Sequence, residues 1–130
     1  MSMTVHTPTY ERVDDRGRLV EVLSEGAWQA ILYGSMNAGA VLGNHYHKET
    51  TIYFHVIKGC AHIDIVGVAS GARRSLTVRA GEGTYLNVND AHAIHFPEPS
   101  ECLMARSRRF DPTAPDTYPF QVRPRDVQHP

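Results

Sequence analysis

Apolar and polar positions alternate along most of the chain in short runs, broken by clusters of Gly, Asn, Asp, Ser and Pro. A period of two is the signature of strands with one face buried. The first such run is "RLVEVL" (18–23), after the turn cluster "DDRG". "WQAILYGSM" (28–36) is strand-like and stops at "NAG"; "AVLGNHYH" (40–47) and "TTIYFHVIKG" (50–59) follow. "CAHIDIVGV" (60–68) sets Ala61, Ile63 and Ile65 on one face and His62 and Asp64 on the other. After "ASGA" come "RRSLTVR" (73–79), "TYLNV", "AHAIHF" and "SECLMARSRRF". That is about nine strands with no amphipathic helix, the spacing of a β-sandwich or barrel. Five of the eight prolines fall in 112–130, so the segment 111–130 is expected to be irregular, to wrap on the barrel, and to fray after about residue 123.

Composition narrows the class. The chain has 130 residues, which predicts a single domain spanning 1–130. Hydrophobic residues make up 42% and charged residues 21%, ordinary for a globular protein, and the net charge of −1 gives no reason to expect a nucleic acid or an anionic membrane as partner. No apolar run is long enough to span a bilayer, and the start, "MSMTVHTPTYERVDD", lacks the basic-then-apolar pattern of a secretory leader. A cytoplasmic location is therefore expected, with Cys60 and Cys102 reduced and buried.

The candidate chemistry lies in the histidines, six of which fall between residues 45 and 95. His45 and His47 are an i, i+2 pair, so on a strand both point to one face, about 7 Å apart. Two imidazoles so placed can chelate a divalent ion when a neighbouring strand supplies a third donor, and "NDAHAIHF" offers His92 just after a turn. The bland alternative is that each histidine is a surface or hydrogen-bonded core residue.

The order of features resembles the cupin superfamily. Gly39, then His45 and His47, then a short strand to Gly59 is similar to its first motif; "GEGTYLNVNDAH", from Gly81 to His92, is similar to its second. The resemblance runs from about residue 15 to 120. "GNHYHKETT" and "RRFDPTAPDTYPF" look like the cupin half of capsular-polysaccharide biosynthesis proteins, and "DDRGRLVEV" looks like the start of dTDP-sugar ketoisomerases and 3,5-epimerases. It implies an all-β cupin (jelly-roll) barrel of two antiparallel sheets with a cavity between them, and a homodimer formed by exchanging or pairing edge strands. Two positions depart from the pattern. Ile52 stands where the cupin metal site has a glutamate, with Glu49 nearby in a turn and expected to point outward. Leu42 stands where the sugar-pathway relatives carry an arginine that would pair with phosphate.

The resemblance implies an enzyme that epimerises or isomerises a 4-keto sugar nucleotide at C3 or C5. His45, His47 and Tyr53 are the candidate catalytic residues; Tyr33 and Tyr85 are further strand tyrosines able to donate a proton to an enolate. His45, His47 and His92 are the candidate metal ligands, and an all-nitrogen donor set favours zinc. Occupancy is expected to fall below about pH 6, where protons compete for the imidazoles. With Ile52, Phe54 and Val56 facing inward, His55 should face out beside Tyr53 and Ile57; a slip of one residue would instead bring His55 in as a fourth ligand. His62 and His95 are expected to face away, Lys48 to be solvated, and one arginine of "RSRRF" (106–110) to be able to reach the cavity mouth. The apolar positions Ile31, Ile52, Phe54, Val56, Ile63, Ile94 and Phe96 suit a flat hydrophobic substrate, so a metal-dependent aromatic polyketide cyclase is a second reading. A metal-dependent dioxygenase and a non-catalytic ligand-binding cupin are further ones.

Overall fold

A computed structural model describes residues 4–123. The described residues form strands without helices: β1 (Tyr10–Asp14), β2 (Gly17–Glu21), β3 (Ala30–Met36), β4 (Val41–Tyr46), β5 (Ile52–Lys58), β6 (Cys60–Gly67), β7 (Arg73–Arg79), β8 (Gly83–Leu86), β9 (Asp90–His95), β10 (Ser100–Arg106) and β11 (Tyr118–Pro119). Two antiparallel sheets face each other, one of four strands in the order β3-β10-β5-β8 and one of five in the order β11-β4-β9-β6-β7; β1 and β2 pair as a separate hairpin. This is the expected jelly-roll barrel.

β2 through β10 are the strands that the alternation predicts. β1 and β11 are additions. Every residue of β1 is exposed, so "YERVD" carries no alternation to read. β11 has two residues, one of them proline, and is held by pairing Tyr118 with Tyr46 and Pro119 with His45. The last long strand stops at Arg106 rather than running on to residue 110: the Ser107 N–H still donates to the carbonyl of Thr51, but the Thr51 N–H donates at 2.9 Å to the Ser107 side-chain oxygen, which ends the backbone ladder there. Cys60 and Cys102 are free thiols; Cys102 is buried, whereas Cys60 is half-buried. Fraying beyond residue 123 concerns positions outside the described residues.

The interior is packed rather than hollow. Ile52, Phe54 and Val56 from β5 meet Ile63 and Ile65 from β6, with Ile94, Phe96, Leu86 and Cys102 closing the cluster. Fully burying such a side chain stabilises the fold by about 1.5–3 kcal/mol. The expected lining residues are thus core, with one exception. Ile31 is 74% exposed, because β3 is an edge strand and Ile31 lies on the outer face of its sheet, beside Leu103, Ala105 and Trp28.

β5 is buried on both faces. Its outer side chains, Tyr53 and His55, are covered by residues that precede β3: Val22, Leu23 and Trp28 lie around them, and the ring of His6 meets that of Tyr53 edge-on at 6.3 Å. A strand covered on both sides loses the polar half of its alternation. That is why "TTIYFHVIKG" reads ambiguously by pattern alone.

Candidate active site

The site sits where β4 meets β9 and depends on a local irregularity. Leu42 pairs with Ile94 and Gly43 with Ala93, but the next aligned pair is His45 with His92, so Asn44 is an extra residue. Gly43 and Asn44 both have positive φ, 95° and 57°. Leu42 points into the core, so regular alternation would send Asn44 inward and His45 outward. The bulge reverses this and turns His45 to the inner face. Asn44 is pinned outside: its side-chain oxygen accepts from the backbone N–H of Val122 and of Arg123, both at 2.9 Å.

Three imidazoles then converge. Ring centroids of His45 and His92 are 4.8 Å apart, of His45 and His47 4.9 Å, and of His47 and His92 5.7 Å. One ligand nitrogen from each lies within 4.8 Å of the others. His47 and His92 are buried, whereas His45 is half-buried. Nδ1 of His47 lies 2.6 Å from the backbone carbonyl of Asp116. A carbonyl only accepts, so Nδ1 carries the proton and Nε2 keeps its lone pair. That Nε2 is buried without a partner. Buried polar atoms are nearly always paired, so an orphaned lone pair in the cluster suits a bound ion or substrate.

All three side chains are held neutral. Burial, with smaller effects from His47 and Arg106, pushes the pKa of His45 down to about 4. Burial first, then His45 and His47, pushes that of His92 down to about 3. Burial also lowers that of His47, against the opposing pull of the Asp116 carbonyl. The unfolded chain protonates these side chains near pH 6.5, while the folded one resists until about pH 4 at His45 and about pH 3 at His92. Between those limits the unfolded state binds more protons, so stability falls as pH falls. We expect the urea midpoint of the metal-free protein to drop steadily from pH 6.5 to 4, each such histidine adding up to about 1.4 kcal/mol per pH unit. A flat profile over that range would contradict the buried neutral cluster.

Arg106 joins the site. It ends β10 directly opposite Ile52 and shares the inner face with Met104 and Cys102, and its positive charge reaches both His45 and His47. Among the arginines of "RSRRF", it is the one whose charge is felt by both histidines. Ile52, at the position where the cupin pattern has a glutamate, faces inward and is core, 4% exposed. Glu49 is exposed and pairs with Arg108, also exposed.

The other candidates are not brought together with the histidines. Tyr53 is on the opposite face of β5, stacked edge-on against Tyr85 at 4.9 Å, because it alternates with Ile52 and Phe54. His55 shares that outer face, so it is not placed as a fourth ligand. Tyr85 donates to Glu25 at 2.5 Å and Tyr33 to Glu101 at 2.6 Å, both on the outside. His62 and His95 stack at 6.1 Å, and Lys48 lies 4.3 Å over the ring of Tyr118. The residue that the sequence did not reveal is Asp116. It lies in a proline-rich stretch with no periodicity, and only its position between the two motif-like "RRF" and "TYPF" segments hints at a role.

A family model described as "Polysaccharide biosynthesis C-terminal domain" matches residues 12–118. No curated protein matches the chain. Among solved structures, the capsular polysaccharide assembling protein CapF from Staphylococcus aureus is similar at 26% identity and a TM-score of 0.70, over 90% of this chain and 34% of that one. The chain therefore spans about a third of the length of CapF. The RmlC epimerase of Mycobacterium tuberculosis is 18% identical with a TM-score of 0.72, over 85% of this chain and 66% of that one. A 3,4-ketoisomerase from Helicobacter canadensis is 16% identical with a TM-score of 0.72, over 90% of each chain, and at these identities the last two speak for the fold alone. With the family match running through both strands that build the histidine cluster, the chain is a cupin barrel belonging to the polysaccharide biosynthesis C-terminal domain family.

Proposed function

We propose that this chain is an enzyme that epimerises or isomerises a sugar nucleotide at a carbon next to a keto group, with His45, His47 and His92 at the reacting centre. The observation that carries the reading is the convergence of three neutral imidazoles where β4 meets β9. The similar structures, an epimerase, a ketoisomerase and a capsular polysaccharide assembling protein, support the same class.

Shifting a proton next to a carbonyl needs a base and a partner for the developing enolate oxygen. A neutral imidazole at pH 7 can take the proton, and His45 is the least buried of the three. Fixed by Asp116, His47 presents a lone pair and no proton at Nε2. That nitrogen, His92 and His45 are the groups that would hold a divalent ion, and the nitrogen-only set suits zinc. When bound, such an ion supplies Lewis-acid polarisation of the substrate carbonyl. Because burial keeps these imidazoles neutral below pH 6, proton competition is displaced to lower pH than free histidine would suggest.

Arg106 favours the sugar nucleotide over the polyketide. It returns a guanidinium to the mouth of a site where Leu42 supplies none, and a diphosphate is the natural partner of that group. The test is solvent exchange. A nucleoside-diphosphate 4-keto sugar incubated with the protein in deuterium oxide should gain deuterium at C3 or C5, read by mass and proton spectra. Absence of exchange with 4-keto sugars of both thymidine and uridine diphosphate would remove this function.

The protein works, on this proposal, as a homodimer. Among the described residues, β3 is an edge strand with Ile31, Leu32 and Tyr33 exposed, and the β1–β2 hairpin carries exposed Tyr10, Val13 and Leu19. An isolated two-stranded hairpin is marginal in water, and an open apolar edge invites pairing, so a second copy satisfies both. Light scattering should give twice the 14.5 kDa chain mass. A monomer at micromolar concentration would refute the dimer without touching the site.

A further inference from the structure

Asp116 holds the C-terminal strap against the site by two different groups. Its backbone carbonyl accepts from Nδ1 of His47 at 2.6 Å. Its carboxylate accepts from the backbone N–H of Lys48 at 2.9 Å, the N–H of Glu49 at 2.8 Å and the hydroxyl of Thr50 at 2.8 Å. One residue thus binds His47 and the three residues that follow it. Burial alone would raise the pKa of the carboxylate, but the bonds it accepts from Lys48 and Thr50 more than offset this and lower it.

We propose that Asp116 is the positioning residue of the histidine cluster, fixing His47 in the Nδ1–H tautomer with Nε2 aimed at His45 and His92. The carboxylate does this at a distance, by clamping the turn 48–50 so that the carbonyl stays opposite the His47 ring. The inference deepens the proposed function and rests on it for the role of the cluster, but the tautomer itself does not depend on any ligand. Other contacts keep the strap attached when the carboxylate is removed. Tyr118 pairs with Tyr46 and takes the cation–π contact of Lys48, and the Phe120 N–H donates to the Asn44 carbonyl at 3.0 Å. Removal should therefore loosen residue 116 without unfolding the barrel. Partners that orient a ligating histidine typically change metal affinity about 10- to 100-fold when removed.

The test compares the wild type with Asp116→Ala and Asp116→Asn, each checked for fold by circular dichroism. Long-range proton–nitrogen spectra of the metal-free proteins report the His47 tautomer, and competition with a coloured chelator reports affinity for zinc alone. We expect a single Nδ1–H tautomer in the wild type and mixed tautomers in Asp116→Ala. Zinc affinity should fall about 10- to 100-fold in that variant. Asparagine keeps one accepting oxygen and should be intermediate. A folded Asp116→Ala with an unchanged tautomer and unchanged zinc affinity would overturn the proposal. If Asp116→Ala does not fold, the asparagine variant decides on the same two readouts. A wild type that binds no zinc yet shows the locked tautomer, lost on substitution, would overturn the metal reading of the site and uphold the role of Asp116.

Discussion

Replacing His47 with alanine is expected to lower turnover of a 4-keto sugar nucleotide by about 10²- to 10⁴-fold, the usual worth of a positioned acid–base or ligand group. The side chain is 3% exposed and stands between His45, His92 and the Asp116 carbonyl, so no other imidazole can swing into its place. Its removal also leaves the Asp116 carbonyl without a donor, at a cost of about 1–3 kcal/mol, which a domain of this size tolerates. The same variant separates the two chemistries open to the cluster. Metal bound per subunit in the wild type, absent from His47→Ala and removed by chelation together with activity, supports the zinc-assisted form. A wild type that keeps full activity after chelation and holds no metal would leave direct acid–base catalysis by the histidines as the mechanism. Wild-type turnover in His47→Ala would remove the cluster from the chemistry altogether.

Much of this was legible in the sequence because two periodicities agreed. Alternation in "CAHIDIVGV" fixed the inner face of β6, and the same register placed Ile52, Phe54 and Val56 inside. The i, i+2 pair fixed that His45 and His47 share a face but not which face. That choice is made by the bulge at Gly43 and Asn44, whose only trace in the sequence is a Gly-Asn step inside a strand. Tyr53 was a candidate acid as one of three strand tyrosines, but the register that puts Ile52 and Phe54 inside sets it on the outer face, where cover from a second layer buries it all the same. What covers the outer side is the stretch from Val22 to Trp28 together with His6, which is far away in sequence and irregular. Asp116 was hidden for a related reason. Its role comes from a backbone carbonyl and a turn clamp, and neither leaves a hydrophobic pattern. Arg106 was reachable by parity from the end of β10, once that strand was known to stop there.

Gly43→Ala should be the most disruptive single methyl in the protein's site, costing about 2–5 kcal/mol. Gly43 has φ of 95°, a region that side chains rarely occupy, so the backbone alone costs about 1–2 kcal/mol. A Cβ there would stand 2.5 Å from the carbonyl oxygen of His92 and 3.1 Å from its ring Cδ2. The oxygen belongs to the backbone of a central strand and cannot move aside, and overpacking of that kind adds about 1–3 kcal/mol. Relief must come from reshaping the bulge, and the bulge is what turns His45 inward. Stability and chemistry are therefore expected to fail together: a lower urea midpoint, and in whatever fraction remains folded, activity reduced beyond what the loss of folded protein explains. Gly39→Ala is the control. It also has positive φ, 88°, but a Cβ there meets nothing within 4 Å, so it should carry the backbone cost alone and leave the histidine cluster active. If Gly43→Ala were no less stable than Gly39→Ala and fully active, the close approach of β4 to His92 would not be what sets the site.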